Sequence, residues 1–184
     1  EALCAGLREA GYAVESVNVE DDLDRFMAAI RLHQPAVVFN LVEFFHDDEG
    51  QEASVAALYE LLGVEFTGNR APTLLACQNK VRAKLVLAAA GLPTPRHMLV
   101  DRLPAPDPAG AGLRFPLIVK PALEDASGGI DDESVVYDRD QLAARVRFVV
   151  EDYGQPALVE EFIDGREIHA AVLGGESPEV LPLF

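Results

Sequence analysis

The sequence predicts two architectures in series: a parallel α/β segment over residues 1–70, then an α+β segment over residues 71–184. Three observations predict this. Residues 36–40 (Ala-Val-Val-Phe-Asn) are a continuous apolar run, the pattern of a strand covered on both faces. Around that run, strand-like and helix-like stretches alternate, which implies right-handed crossovers and a parallel sheet. Beyond Pro93 and Pro95 the chain turns strand-rich, with one helical stretch inserted at 139–151.

Taken in order, residues 1–10 read as a helix that Gly11 stops. Residues 13–19 alternate like a strand. Asp21 or Asp22 then N-caps a helix with Leu23, Phe26, Met27 and Ile30 on one face, and Pro35 ends that connection. A polar loop at 43–50 leads to a helix over 51–62, stopped by Gly63, and to a short strand at 64–66. Residues 72–90 read as one long helix or two short ones, closed by Gly91. The two prolines impose an extended path into 97–100, and 103–112, rich in Pro, Ala and Gly, reads as a surface loop. Strands are expected at 117–120, 134–137, 157–161, 167–173 and 180–183. Asp138 with Gln141 makes a capping-box pattern at the start of 139–151, and Gly174–Gly175 signals a hairpin turn.

Composition narrows the function. With 184 residues, 49% hydrophobic and 25% charged, the chain can bury a core and is not of disordered type. A net charge of −16 argues against nucleic acid as a partner, because its phosphates would be repelled. No apolar run approaches the roughly 18–20 residues of a membrane span. The first residues carry no signal-peptide pattern, and the chain enters a helical pattern without an initiator Met, which reads as a piece of a longer protein. Cys4 and Cys77 lie far apart, with neither a disulfide framework nor metal-ligand spacing, so a reducing cytoplasm is expected.

The residues that suggest chemistry cluster in the second half. Three apolar residues deliver Lys120 to a strand end, and a loop with Ser127, Gly128 and Gly129 follows. A half-buried ammonium needs a partner, and a nucleotide phosphate would be one; a lysine reaching solvent is the other reading. Adjacent glycines let backbone N–H groups approach phosphate oxygens, although glycine pairs also make ordinary turns. Glu160, Glu161 and Glu167 flank a hairpin with Phe162 and Ile163. Their carboxylates suit ribose hydroxyls and their backbone suits an adenine edge, or the segment is an exposed hairpin with its apolar residues in the core. Lys80 stands in a basic stretch of an acidic protein, either a solvated face or a second phosphate cation. Glu43, Phe44, Phe45 and His46 follow the 36–40 strand at its C-terminal end, where open α/β sheets place ligands. That loop either receives an amine-bearing substrate or folds onto its own core. The four histidines show no metal-ligand spacing, and no metal ligand is assigned within the chain.

These pieces occur in a familiar order. Val37-Val38-Phe39-Asn40, Gly50, the run Leu61-Leu62-Gly63-Val64-Glu65-Phe66-Thr67-Gly68, Asn79-Lys80 with Lys84, Ala90-Gly91-Leu92-Pro93-Thr94-Pro95, Leu117-Ile118-Val119-Lys120-Pro121 and Leu158 to Glu167 together resemble the D-alanine–D-alanine ligases of the ATP-grasp superfamily. The resemblance implies an incomplete pre-ATP-grasp α/β domain followed by the N-terminal lobe of an ATP-grasp fold. It implies an ATP-dependent carboxylate–amine ligase acting through an acyl phosphate. Lys80 and Lys120 would contact ATP phosphates, with Glu124, Ser127, Gly128 and Gly129 in the phosphate loop. Glu160, Glu161, Phe162 and Ile163 would hold adenine, Glu167 ribose, and Glu43 with His46 the substrate. Mg²⁺ would accompany ATP, its ligands expected beyond residue 184, so the chain alone is expected to be inactive. The partners implied are a small amino acid or carboxylate and a second copy of the chain as a homodimer. Two departures stand out: Glu43 replaces the family's usual histidine, and Asp125 replaces a glycine of the phosphate loop. Two other readings stay open: an ATP-grasp enzyme with a non-peptide product, and a non-catalytic nucleotide-binding or interaction module.

Overall fold

A computed structural model describes residues 1–124, 128–175 and 177–183. The chain divides into two compact units, Glu1–Ala90 with Leu123–Ala126, and Gly91–Ala122 with Ser127–Phe184.

The first unit is helical. It contains α1 (Ala2–Glu9), α2 (Leu23–His33), α3 (Glu52–Leu62), α4 (Ala71–Cys77) and α5 (Lys80–Ala89). Local chemistry sets their ends. The Asp22 side chain accepts a hydrogen bond from the Arg25 amide at 3.0 Å and starts α2. Gly63, at φ +66°, takes the left-handed conformation that ends α3. The helical stretch near residues 72–90 is two helices. Asn79 breaks it and caps the second through bonds from the Val81 and Arg82 amides at 3.1 and 3.0 Å. Phe26, Val55 and Tyr59 form the buried centre, with Val19, Ile30, Val38, Phe45 and Phe66 packed around them. The Tyr59 ring lies 5.1 Å from the rings of both Phe26 and Phe66.

The expected parallel strands over 13–66 are a correction. Among the described residues they reduce to one parallel bridge, Val38 to Phe66, with the Val38 amide on the Glu65 carbonyl at 2.8 Å and the Thr67 amide on the Val38 carbonyl at 2.9 Å. Residues 13–19 form no strand; most of them are exposed, and the Val14 carbonyl accepts from Arg8 Nη2 at 2.8 Å. Alternation alone does not hold a strand that has no neighbour to complete its hydrogen bonds.

The second unit is a four-stranded antiparallel sheet, order β1-β4-β2-β3, with β1 at His97–Val100, β2 at Leu117–Pro121, β3 at Val135–Val136 and β4 at Ala157–Glu161. Helix α6 (Arg139–Asp152) covers one face, burying Leu142, Val146 and Val149 against Leu117, Val119, Val136, Ala157 and Val159. Asp138 caps α6 through the Gln141 amide at 2.9 Å, but the Gln141 side chain reaches back to the Tyr137 amide at 2.8 Å, one residue earlier than a capping box would place it. The strand expected at 167–173 shortens to β5 (Val172–Leu173), paired with β6 (Glu179–Val180) across the glycine turn. All four of its residues are exposed, so no core extends the pairing.

Candidate functional site

The register of the second unit puts the candidate residues on one face. Residues directly opposite in antiparallel strands share a face. Val119 faces Val159, and both point into the α6 core. Lys120 therefore lies on the other face with its partner Leu158, and Ile118 with its partner Glu160. His97, opposite Glu160, joins the same face from β1. Lys120 and Glu160 are thus diagonal neighbours, and the ammonium donates to Glu160 Oε1 at 2.5 Å. The Glu160 side chain is only 7% exposed, and this cation offsets part of the cost of burying it. Alternation along β2 explains the geometry: Leu117, Val119 and Pro121 point inward, which leaves Lys120 half-buried on the side opposite α6.

The segment after β4 is partly committed to the sheet. The Glu161 amide donates to the Arg96 carbonyl at 3.0 Å and the Phe162 amide to the Pro116 carbonyl at 3.2 Å. Phe162 is half-buried, whereas Ile163 and Glu167 are exposed, and Glu167 lies outside any strand.

The chain leaving β2 carries the glycines. Ser127 falls outside the described residues. Gly129 has φ +67°, and a Cβ there would lie 2.6 Å from Pro121 Cγ and 2.9 Å from Tyr153 Cζ. Only glycine fits this position, for reasons of conformation and of space. Next, Asp131 opens a short turn, Asp132–Ser134: its side chain accepts from the Glu133 amide at 2.9 Å, while Ser134 Oγ accepts from the Asp131 amide at 2.9 Å.

Sequence reasoning missed Arg145. It is 5% exposed on α6, and its Nη2 donates to the Gly129 carbonyl at 2.8 Å and to Ser134 Oγ at 2.9 Å. Its Nη1 donates to Asp131 Oδ2 at 3.1 Å, and the guanidinium lies 4.6 Å from the centre of the Phe148 ring. Desolvation pushes the Asp131 carboxyl up, but the hydrogen bonds from Arg145 and the Glu133 amide outweigh it and leave the pKa lowered. Among the described residues Arg145 Nε has no partner, a cost of about 1–3 kcal/mol for a buried donor. A signal existed: position 145 lies three residues after Leu142 and four before Val149, on the helix's buried stripe.

The remaining candidates belong to the first unit. The Lys80 ammonium donates to the backbone carbonyl of Glu124. In the loop after residue 40, Phe45 packs on the Tyr59 core, whereas Phe44 and Glu43 are exposed. The adjacent phenylalanines thus divide between the two readings of this loop. His46, at φ +56°, is exposed, its amide held by Asp21 Oδ1 at 2.8 Å. Among the described residues, no group of three or more His, Cys, Asp or Glu is placed to hold a metal ion, and no helix is long and apolar enough to cross a membrane.

This mixed α/β fold is shared by a known class of proteins. The structure is similar to D-alanine–D-alanine ligase from Bacillus anthracis (TM-score 0.66, 18% identity, 96% of this chain and 60% of that one). It is also similar to the VanG D-Ala:D-Ser ligase from Enterococcus faecalis (TM-score 0.64, 25% identity, 80% and 42%). In sequence the chain is 37% identical to an uncharacterized protein, y4sG, from Sinorhizobium fredii over 100% of its own length and 54% of that protein. It is 32% identical to the D-alanine–D-alanine ligase of Desulforudis audaxviator over 100% of its length and 58% of that enzyme. Residues 86–184 match the family model described as D-ala D-ala ligase C-terminus. The chain belongs to the D-alanine–D-alanine ligase-like family of ATP-grasp proteins, and it spans a little over half the length of these curated relatives.

Proposed function

We propose that this chain forms part of the nucleotide-binding half of an ATP-dependent carboxylate–amine ligase. The observation that carries the reading is Lys120, half-buried and paired with Glu160 on the sheet face opposite α6. An ammonium has three donors, so the one that bonds Glu160 leaves the group able to meet a phosphate as well.

In this reading residues 1–70 are an incomplete pre-ATP-grasp domain and 71–184 the first part of the ATP-grasp domain. Lys120 and Lys80 bind phosphate oxygens, with Glu124, Ser127, Gly128 and Gly129 shaping the loop around them. Because the Glu161 and Phe162 amides serve the sheet, adenine would meet this segment at Ile163, beside Glu160, with Glu167 on the ribose. Glu43 and His46 would meet the amine-bearing substrate. The carboxylate of one substrate attacks the γ-phosphorus of ATP, ADP leaves, and the amine of the other attacks the acyl carbon and displaces phosphate. Among the described residues no group of three or more His, Cys, Asp or Glu is placed to hold the Mg²⁺ that would accompany ATP. Free Cys4 and Cys77 are consistent with the reducing cytoplasm expected for such an enzyme. A homodimer remains part of the proposal, to be checked by its mass in solution.

ADP release by the full-length protein, screened over pairs of small carboxylates and amines, tests the reaction class. Release that requires both substrates is expected; release at the same rate without an amine would contradict a ligase.

A further inference from the structure

A helix shaped for packing alone would carry an apolar residue at position 145, between Leu142 and Val149 on the buried stripe of α6. The chain instead buries a guanidinium and aims it at one place, the backbone that leaves β2. We propose that Arg145 is a positioning residue that fixes the Gly129–Asp131 backbone in the form that receives a phosphate-bearing ligand. The proposal rests on the nucleotide reading above and adds to it a residue on another element.

Peptide geometry gives the first reason. The Gly129 carbonyl and the Ile130 amide share one planar trans unit, in which C=O and N–H point in opposite directions. With the Gly129 oxygen held 2.8 Å from Arg145 Nη2, the Ile130 N–H points away from α6. Charge gives the second. The segment is acidic, with Glu124, Asp131, Asp132 and Glu133, and an anion there would be repelled. Arg145 binds the Asp131 carboxylate at 3.1 Å and sets a cation against that field. Packing gives the third. Tyr153 closes over Gly129, the Phe148 ring lies 5.5 Å from the Tyr153 ring, and Arg145 lies against Phe148. Helix and glycine are thereby linked by a continuous set of contacts in which the guanidinium makes the hydrogen bonds.

The test compares Arg145→Met, Arg145→Lys, Val146→Ala and Lys120→Ala in the full-length protein, by amide hydrogen exchange over 128–134 and by ATP calorimetry. In Arg145→Met, exchange over 128–134 should quicken at least about tenfold while the amides of α6 keep their protection. ATP affinity should fall about tenfold, the scale of one charge-assisted contact. Arg145→Lys keeps the charge without the fork, and should recover part of both losses. Val146→Ala, a core change one residue away, should lower the melting temperature and leave ATP affinity unchanged. Unchanged exchange at 128–134, or protection lost equally across α6, overturns the proposal. So does ATP affinity no lower in Arg145→Met than in Val146→Ala. If Lys120→Ala binds ATP as the unaltered protein does, the nucleotide reading fails and takes the ligand half of the proposal with it. A weakened Lys120→Ala beside an unaffected Arg145→Met overturns the role of Arg145 alone.

Discussion

The two units put their apolar residues to different use. In the second, β2, β3, β4 and α6 bury Leu117, Val119, Val136, Val146, Val149 and Val159 almost completely. In the first, the buried centre is the Phe26, Val55 and Tyr59 cluster, while Leu61 is 84% exposed and Leu85 62% exposed. The difference shows where a side chain can be aimed. Lys120 and Glu160 inherit their placement from a sheet whose other face is close-packed, so their geometry is fixed by the core residues on that face. Glu43 and His46 stand on a loop anchored by Phe45 on one side and by the Asp21 carboxylate on the other.

The largest expected effect breaks the comparison directly. Leu117→Ala, in the second core, should cost about 2–5 kcal/mol, whereas Leu61→Ala should stay within about 0.5 kcal/mol, both read from denaturant unfolding. Equal losses would mean that Leu61 is covered in solution. Next, Gly129→Ala must adopt positive φ and force a methyl against Pro121 and Tyr153, at a cost on the order of 2–4 kcal/mol by thermal unfolding. A neutral result would show that the loop exit relaxes freely.

The first unit offers a test by pH. Burial raises the Tyr59 pKa from 10.0 to about 12. A raised folded-state value means that the stabilisation is fully present below pH 10.0 and is lost as pH rises through about 12. The loss should be on the order of 2–3 kcal/mol and absent from Tyr59→Phe, followed by unfolding at successive pH values. A variant that loses stability equally over that window would assign the effect to other groups.

The sequence revealed structure where a signal and its partner lay close together. Asp22 at the start of α2, Gly63 after α3 and the glycine turn between β5 and β6 each act within a few residues, and each appears as expected. The strand expected at 13–19 failed because its alternation names no neighbour, and none pairs with it among the described residues. At the site, the strand end that presents Lys120 was legible, because β2 is short, apolar and stopped by proline. Its partner was not. Glu160 lies forty residues on, and only the antiparallel register makes the two diagonal neighbours. Arg145 escaped notice for a related reason. In isolation a helix arginine reads as a solvated charge, and its three partners come from a different stretch of chain.

The measurement that bears most directly on the central claim is ATP calorimetry on the full-length protein with and without Lys120→Ala. The account predicts that the substitution weakens ATP by about 1.5–3 kcal/mol, roughly ten- to a hundredfold, the scale of a charge-assisted contact. ATP affinity equal to that of the unaltered protein would remove Lys120 from the site and contradict the account.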